Sequence, residues 1–425
     1  MLRMVPVVPP YNLAFPGKAM NHPLRPDVFW VGAIDWTVRD FHGFDTPRGT
    51  SYNAYLVRDA RTALVDTVKA EFADALLENV AAVLGQDHPD AAAPPARLDY
   101  VVVNHAELDH AGAVPEVLRA HPAATVVCNS KCRAALAAHF DTAAWKFQVV
   151  AEGQTLDLGR HRLTFYDTPM AHWPESMWTC LAGERLLFSM DVFGQHLAGG
   201  PRFDDQLPLE IVLDEAKTYF ANIFLPYPKA VAMSLQKLRP LEIDVIAPSH
   251  GVIWRSGVPR IVEAYERWVA GRPRAKVVVL YDTMWHSTRA MAEAILEGAS
   301  QPGVEVELVR VGATSLTRIA AEVMDAAAVA VGSPTLNRGP MPAVAAVLSY
   351  LQGLKPSGKA ALAFGSYGWG PGGPEAIHDA LPALGWEPCS PPLRSKYRPT
   401  PDILAACRAA GKQLADLAVK AVGSG

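Results

Sequence analysis

The 425-residue chain has only five cysteines, Cys128, Cys132, Cys180, Cys389 and Cys407, odd in number and unevenly spread. That excludes a secreted disulfide framework, and no second pair joins Cys128 and Cys132 to complete a zinc or rubredoxin-like tetrathiolate site. These thiols are expected to be buried packing residues or inert. Charge is scarce as well: 19% of residues are charged and the net charge is -4. No basic cluster could track a phosphate backbone, so nucleic acid is not an expected partner. Nor is a membrane, because no stretch is long and apolar enough to span a bilayer. Pro6, Pro9, Pro10 and Pro16 interrupt the N-terminal stretch where a signal peptide needs an unbroken apolar run. A reducing, cytoplasmic location is therefore expected. The Gly-rich loop of a triphosphate-binding protein (Gly-x-x-x-x-Gly-Lys-Ser/Thr) is missing.

What is present is ample apolar material. Half of the residues are hydrophobic, enough for more than one packed core, and the length favours two or three domains. Up to about residue 265, strand-like runs rich in β-branched and aromatic residues (28–35, 52–57, 62–67, 100–105, 124–129, 162–168, 185–191 and 245–250) alternate with turns and a few helical patterns, among them 70–84 and 114–120. Several of these runs end in an ionisable residue, which places functional side chains at strand ends. The mixture predicts sheets covered by helices, an αβ/βα layering. Gly271-Arg272-Pro273-Arg274 then reads as a linker. Beyond it, strands at 276–281, 304–311, 327–333 and 359–366 alternate with helices at 288–299, 316–323, 342–351, 374–384 and about 401–422, the rhythm of a doubly wound parallel sheet. The expected division is 1–270 and 271–425. Low complexity is confined to the Ala/Pro loop at 90–96.

The most informative run follows an apolar strand: Asn104-His105-Ala106-Glu107-Leu108-Asp109-His110. So many ionisable groups turned into one pocket need a cation to compensate them. A solvated polar loop is the plain alternative. The same half, however, offers three further candidates near strand ends: His172 in TPMAHWPESM, Asp191 in FSMDVFGQH and His250 in APSHG. Singly, these read as a core histidine, a turn former and a helix-capping residue. Jointly they supply four histidines and three carboxylates, the inventory for two metals sharing a bridging carboxylate.

This ordered set is similar to the metallo-β-lactamase fold. With Glu107 in place of the second histidine of the zinc hydrolases, it resembles the diiron domain of flavodiiron proteins. GAIDW (32–36), FHGFDTPRGTSYNAYLV (41–57) and LVDT (64–67) belong to the same resemblance, which runs nearly to the end of the chain. A carboxylate oxygen in place of an imidazole nitrogen hardens the site and adds negative charge, which suits iron better than a zinc hydrolase. The resemblance implies two iron ions per chain. One would take His105, Glu107 and His172, the other Asp109, His250 and His110, with Asp191 bridging. His196 is a candidate catalytic group beside them, for a proton or a hydrogen bond. Leu197 stands where many relatives have an aromatic residue.

In the second half, YDTMWHST (281–288) joins a strand to a helix, and the hydroxyls of Thr283, Ser287 and Thr288 with the helix amides can cradle a terminal phosphate. GSPTLNRG (332–339) and FGSYGWGPGG (364–373) follow the next strands at the carboxyl edge, where open parallel sheets bind ligands. Small residues there let the backbone approach a flat ring that Tyr367 or Trp369 could stack against. These loops look like those of a flavodoxin domain of the flavodiiron type, which implies FMN. The candidate contacts are Thr283, Met284, Trp285, His286, Ser287 and Thr288, then Ser333, Pro334, Thr335, Leu336 and Asn337, then Ser366, Tyr367, Gly368 and Trp369. His286 departs from the glycine more usual in the phosphate loop.

The resemblance thus implies an oxidoreductase that reduces dioxygen to water, nitric oxide to nitrous oxide, or both, with electrons passed through FMN. It also implies a head-to-tail homodimer, which could pair into a tetramer. No rubredoxin module is appended, so a separate donor is expected: rubredoxin, another reductase or reduced deazaflavin. Two rival readings are a dinuclear zinc hydrolase with a flavodoxin-like docking domain and an electron-transfer flavoprotein with a vestigial metal domain.

Overall fold

A computed structural model describes residues 22–85 and 97–423. The proline-interrupted N-terminal stretch up to residue 21 and the Ala/Pro loop lie outside the described residues.

Two sheets face each other in the first half. One has seven strands, His22–Arg25, Val28–Trp30, Tyr55–Val57, Thr62–Val65, Leu98–Val102, Thr125–Cys128 and Lys146–Val149, in that spatial order. The other has five, from Thr155–Asp157 through Arg162–Asp167, Met177–Leu181 and Leu186–Met190 to Val245–Pro248. Between them lies a core in which Trp30, Tyr55, Val65 and Val102 of one sheet meet Phe165, Phe188 and Val245 of the other. Helices Ala73–Leu84 and Val114–Ala120 cover one outer face, and helices Leu209–Ile223, Pro228–Leu238 and Val258–Val269 the other. The αβ/βα layering follows from strands that are apolar on both faces, as in Met177–Leu181 and Leu186–Met190, where every residue is buried.

The second half is one sheet of six strands in the order Glu305–Arg310, Arg274–Tyr281, Ala326–Gly332, Lys359–Tyr367, Trp386–Pro388, with Leu393–Lys396 also pairing to Lys359–Tyr367. Every pairing in it is parallel. Helices pack on both faces, Ser287–Ala299 and Pro401–Gly423 on one, Leu316–Met324 and Pro342–Leu354 on the other. The expected doubly wound sheet is present.

Several elements differ from their sequence reading. The run 28–35 is two strands, Val28–Trp30 and Ala33–Asp35, the second pairing with Thr50–Tyr52 in a separate two-stranded sheet. Gly32 sits at the break, where a Cβ would fall 2.2 Å from the Tyr52 carbonyl. Arg274 opens a strand rather than closing a linker, because its amide pairs with the Asp325 carbonyl. The helix expected at 374–384 ends at Ala380 and tightens into a 3-10 turn over Leu381–Leu384, where Pro382 removes an amide donor. Strand Lys146–Val149 went unpredicted: two of its residues are exposed and none is fully buried, so it lacks the apolar signal.

Candidate metal centre and cofactor site

The metal-binding candidates converge from strand ends. His105 follows Leu98–Val102, Asp191 follows Leu186–Met190, and His250 follows Val245–Pro248. His172 sits between Arg162–Asp167 and Met177–Leu181, and Asp109 and His110 lie in the short helix Leu108–Ala111. A buried carboxylate anchors this edge: Asp66 accepts from the Asn104 amide at 2.8 Å and from its side chain at 2.9 Å. That fixes the backbone from which the ligand loop departs.

The seven side chains fall into two groups. His105, Glu107, His172 and Asp191 present donor atoms within 4.8 Å of one another, as do Asp109, His110 and His250. Asp191 touches both. Its Oδ2 lies 3.4 Å from His105 Nε2 and 3.2 Å from His172 Nε2. Its Oδ1 lies 3.1 Å from His110 Nε2 and 3.4 Å from His250 Nε2. Glu107 closes the first group at 3.1 Å from His105 and 3.4 Å from His172, and Asp109 the second at 3.2 Å from His250. All but Glu107 and His172 are buried.

The donor set fits two cations. Asp109 Oδ1, Asp191 Oδ2 and both ring nitrogens of His110 are buried with no hydrogen-bond partner among the described residues. Such orphans cost about 1–3 kcal/mol each unless something satisfies them. The electrostatics agree. Burial opposes ionisation of Glu107, yet the imidazoles of His105 and His172 hold its carboxyl well below the usual range. Burial disfavours protonated His250, yet Asp109 and Asp191 raise it to about 10. A pocket that recruits protons to balance its carboxylates is one in which metal cations can replace them.

Residues not singled out from sequence orient this set. Glu175 Oε1 lies 2.8 Å from His105 Nδ1, and His250 Nδ1 lies 2.7 Å from the Ser51 carbonyl, so each ring turns Nε2 inward. Tyr219 donates to Asp191 Oδ1 at 3.0 Å. The partly exposed His42 stands 3.5 Å from Glu107. His196 is buried, its Nδ1 3.0 Å from Thr50 Oγ1, and burial followed by the nearby His250 pushes it down to about 3. It is therefore neutral. Leu197 is buried in the apolar cluster alongside. A cavity of about 210 Å³ opens over six of the seven side chains, all but His105, and is walled besides by Phe41, Phe44, Ile223, Pro226 and Tyr227.

The three cofactor loops also meet. Thr288 Oγ1 lies 2.9 Å from Ser366 Oγ, the Thr335 amide donates to the Ser366 carbonyl at 2.8 Å, and the Gly373 amide donates to Thr335 Oγ1 at 2.9 Å. Ser333 turns inward, accepting from the Met341 amide at 2.8 Å. Thr283 Oγ1 is buried without a partner among the described residues, beside the N-terminus of helix Ser287–Ala299. That free hydroxyl and the helix amides fit a phosphate. A Cβ at Gly372 would fall 2.4 Å from the Arg338 carbonyl, so Arg338 and the loop after Tyr367 approach closely only because residue 372 is glycine. His286 holds a left-handed backbone (φ 66°) with its side chain exposed. Trp285 and Trp369 are 88% and 94% exposed, and Met284 is exposed with them.

A buried dinuclear donor set at one sheet edge, with a flavodoxin-type ligand edge in the same chain, defines a metal- and flavin-dependent oxidoreductase. Comparison with known proteins agrees. Residues 50–251 match the ODP family beta lactamase description and residues 279–411 match flavodoxin. The chain is 42% identical over 393 residues to a nitric oxide reductase of Moorella thermoacetica, covering 91% of this chain and 96% of that one. It is 40% identical over 375 residues to a rubredoxin-oxygen oxidoreductase of Megalodesulfovibrio gigas, covering 87% and 91%. The crystal structure of the flavodiiron protein from Giardia intestinalis superposes with a TM-score of 0.91 at 33% identity, covering 96% of this chain and 99% of that one. The chain belongs to the flavodiiron protein family.

Proposed function

We infer that this protein reduces dioxygen to water, nitric oxide to nitrous oxide, or both, at two irons. His105, Glu107 and His172 would hold one, Asp109, His110 and His250 the other, and Asp191 would bridge them. The observation that carries this reading is the division of Asp191, whose Oδ2 faces one group and whose Oδ1 faces the other. FMN would sit on the loops 283–288, 333–337 and 366–369. When bound, the iron pair and the flavin together supply the electrons that the gas consumes.

The chain's own residues do the rest. Glu175 and the Ser51 carbonyl hold His105 and His250 in the tautomer that leaves Nε2 free for metal. Tyr219 steadies the bridge. Phe41, Phe44, Ile223 and Pro226 give the cavity an apolar wall, which suits small apolar gases.

The domains would divide at 270/271, after helix Val258–Val269 and at the turn around Gly271. A head-to-tail homodimer would cover the exposed Trp285 and Trp369 beside the flavin loops, and a separate donor, rubredoxin in the first instance, would deliver electrons. Among the described residues no helix is long and apolar enough to cross a membrane. The five cysteines are free, as a reducing cytoplasm would keep them. The test is anaerobic purification with metal analysis and a visible spectrum. Two irons per chain and released FMN are expected; zinc with no flavin would reject the reading.

A further inference from the structure

Besides the metal-binding residues, two elements of the first half wall the cavity. One is the hairpin of strands Asp40–Phe41 and Phe44–Asp45, which supplies Phe41 and Phe44. The other is the end of helix Leu209–Ile223, which supplies Asn222 and Ile223. The hairpin is a two-stranded sheet of its own, two residues to a strand, and it turns through His42 and Gly43, both left-handed. A ribbon so short is not stable by itself in water and takes its position from what it is tied to.

Both elements are tied to one residue of the flavodoxin half. The Asp45 amide donates to Thr317 Oγ1 at 2.9 Å, and Asn222 Nδ2 donates to the Thr317 carbonyl at 3.1 Å. Thr317 is buried in the first turn of helix Leu316–Met324. Asp45 follows Phe44 and Asn222 precedes Ile223, so each tie sits one residue from a wall side chain. Tyr350, also of the flavodoxin half, donates to Asn222 Oδ1 at 2.6 Å, so the Asn222 amide is held from both ends. The docking of the two halves does not depend on these ties alone. Along the same two helices Lys217 pairs with Asp325 at 2.9 Å and Arg318 with Asp214 at 2.7 Å.

Nitrous oxide forms from two nitric oxides, so both must be held in one cavity at the same time. Confinement of that kind depends on walls that keep their place. We propose that Thr317 is a positioning residue for nitric oxide reduction, fixing from the flavodoxin half the two walls that keep a pair of gas molecules together over the metal-binding residues. This rests on the reading of the chain as a gas reductase. Thr317 is not part of the cavity lining and acts through Phe44 and Ile223. Its hydroxyl sets the hairpin wall and its carbonyl the helix wall.

The test compares, in the holoprotein, Thr317→Val, which keeps the shape and loses the hydroxyl, with Thr317→Ser, which keeps the hydroxyl. In hydrogen exchange followed by mass spectrometry, residues 40–46 should exchange faster in Thr317→Val and as in the unaltered protein in Thr317→Ser. Thr317→Val should also raise the KM for nitric oxide about fivefold, the worth of one hydrogen bond, with kcat, iron and FMN content unchanged. Thr317→Ser should restore it. A merely structural role would lower kcat together with iron or FMN content and leave KM in place. Tyr350→Phe releases Asn222 from outside the cavity lining. It should raise the same KM while residues 40–46 stay protected, and it carries the test if Thr317→Val does not fold. Unchanged exchange at 40–46 in Thr317→Val, or a KM that does not move, overturns the proposal. An unaltered protein that reduces dioxygen alone overturns it too and leaves the proposed function standing. One that reduces neither gas rejects the proposed function instead, and the exchange comparison then decides whether Thr317 holds the wall.

Discussion

Glu175 Oε1 sits 2.8 Å from His105 Nδ1 and also accepts the Ala106 amide at 3.2 Å, so one carboxylate fixes both the His105 ring and the backbone that follows it in the proposed metal-binding set. Both side chains are buried. Removing the carboxylate frees the His105 ring to rotate and to place its proton on the wrong nitrogen. Glu175→Ala should therefore weaken iron binding by roughly 10–100-fold, the range for such outer partners. Glu175→Gln, which still accepts a hydrogen bond, should lose less. Chelator competition on the reconstituted protein reads this directly, and FMN content should not move in either variant.

Asp191 is the group whose loss cannot be shared out, because among the described residues no other carboxylate touches both halves of the donor set. Asp191→Ala should abolish gas reduction and release iron, while the flavin spectrum survives in the other sheet. Iron assay and a nitric oxide electrode check it. Retention of both irons with near-normal turnover would show that Asp191 is not the bridge.

His286 has a left-handed backbone, a conformation that disfavours residues with a Cβ by roughly 1–2 kcal/mol. Its side chain is exposed and makes no capping hydrogen bond to helix Ser287–Ala299. His286→Gly should thus raise stability by up to about 1 kcal/mol and leave FMN affinity unchanged or tighter. Fluorescence titration with FMN is the measurement. A weaker complex would mean that the imidazole contributes a contact to the phosphate.

Lys359 gives a stability test far from either site. Its ammonium lies under the flavodoxin sheet, donating to the carbonyls of Ala326 at 2.7 Å and Met324 at 3.1 Å, and burial pushes its pKa down to about 7 from 10.5. The folded chain therefore binds this proton more weakly than the unfolded chain. The resulting penalty is full below about pH 7 and fades as pH rises towards 10.5. Lys359→Met should remove that slope. Urea midpoints across the window should rise with pH more steeply in the unaltered protein than in the variant.

These contacts also show what the sequence could and could not reveal. His105, Glu107, Asp109 and His110 were legible because they crowd one strand exit, and the other three because each closes or follows a strand. Glu175 was not, although it lies three residues after His172, since a lone acid in a Trp-Pro turn looks like any solvated loop residue. Tyr219 was hidden differently. It belongs to the buried stripe of helix Leu209–Ile223, with Val212, Ala216 and Phe220, and a tyrosine there reads as packing until Asp191 is brought beside it. The two-sheet sandwich was legible from strand composition, whereas the break at Gly32 depended on Tyr52 approaching from another strand.

The metal itself supplies the sharpest discrimination between oxidoreductase and hydrolase, and it turns on Glu107. Glu107 reaches both His105 and His172 and is held ionised by them, so the first site carries a hard anionic donor where a zinc hydrolase would have another imidazole. Zinc can fill such a site but cannot change valence. Protein loaded with zinc should therefore be inert towards nitric oxide even with its flavin fully reduced. Iron-loaded protein should reoxidise its flavin rapidly when the gas is admitted. Stopped-flow mixing of the two reduced forms with nitric oxide, followed at the flavin absorbance, compares them directly. Nitric oxide is the cleaner reagent because free reduced flavin reacts with dioxygen unaided. Equal rates in both metal forms with both gases would remove the metals from the reaction. A fast iron form and a silent zinc form would place the chemistry over Asp191, and the ratio of the dioxygen and nitric oxide rates would then set the preference between the two gases.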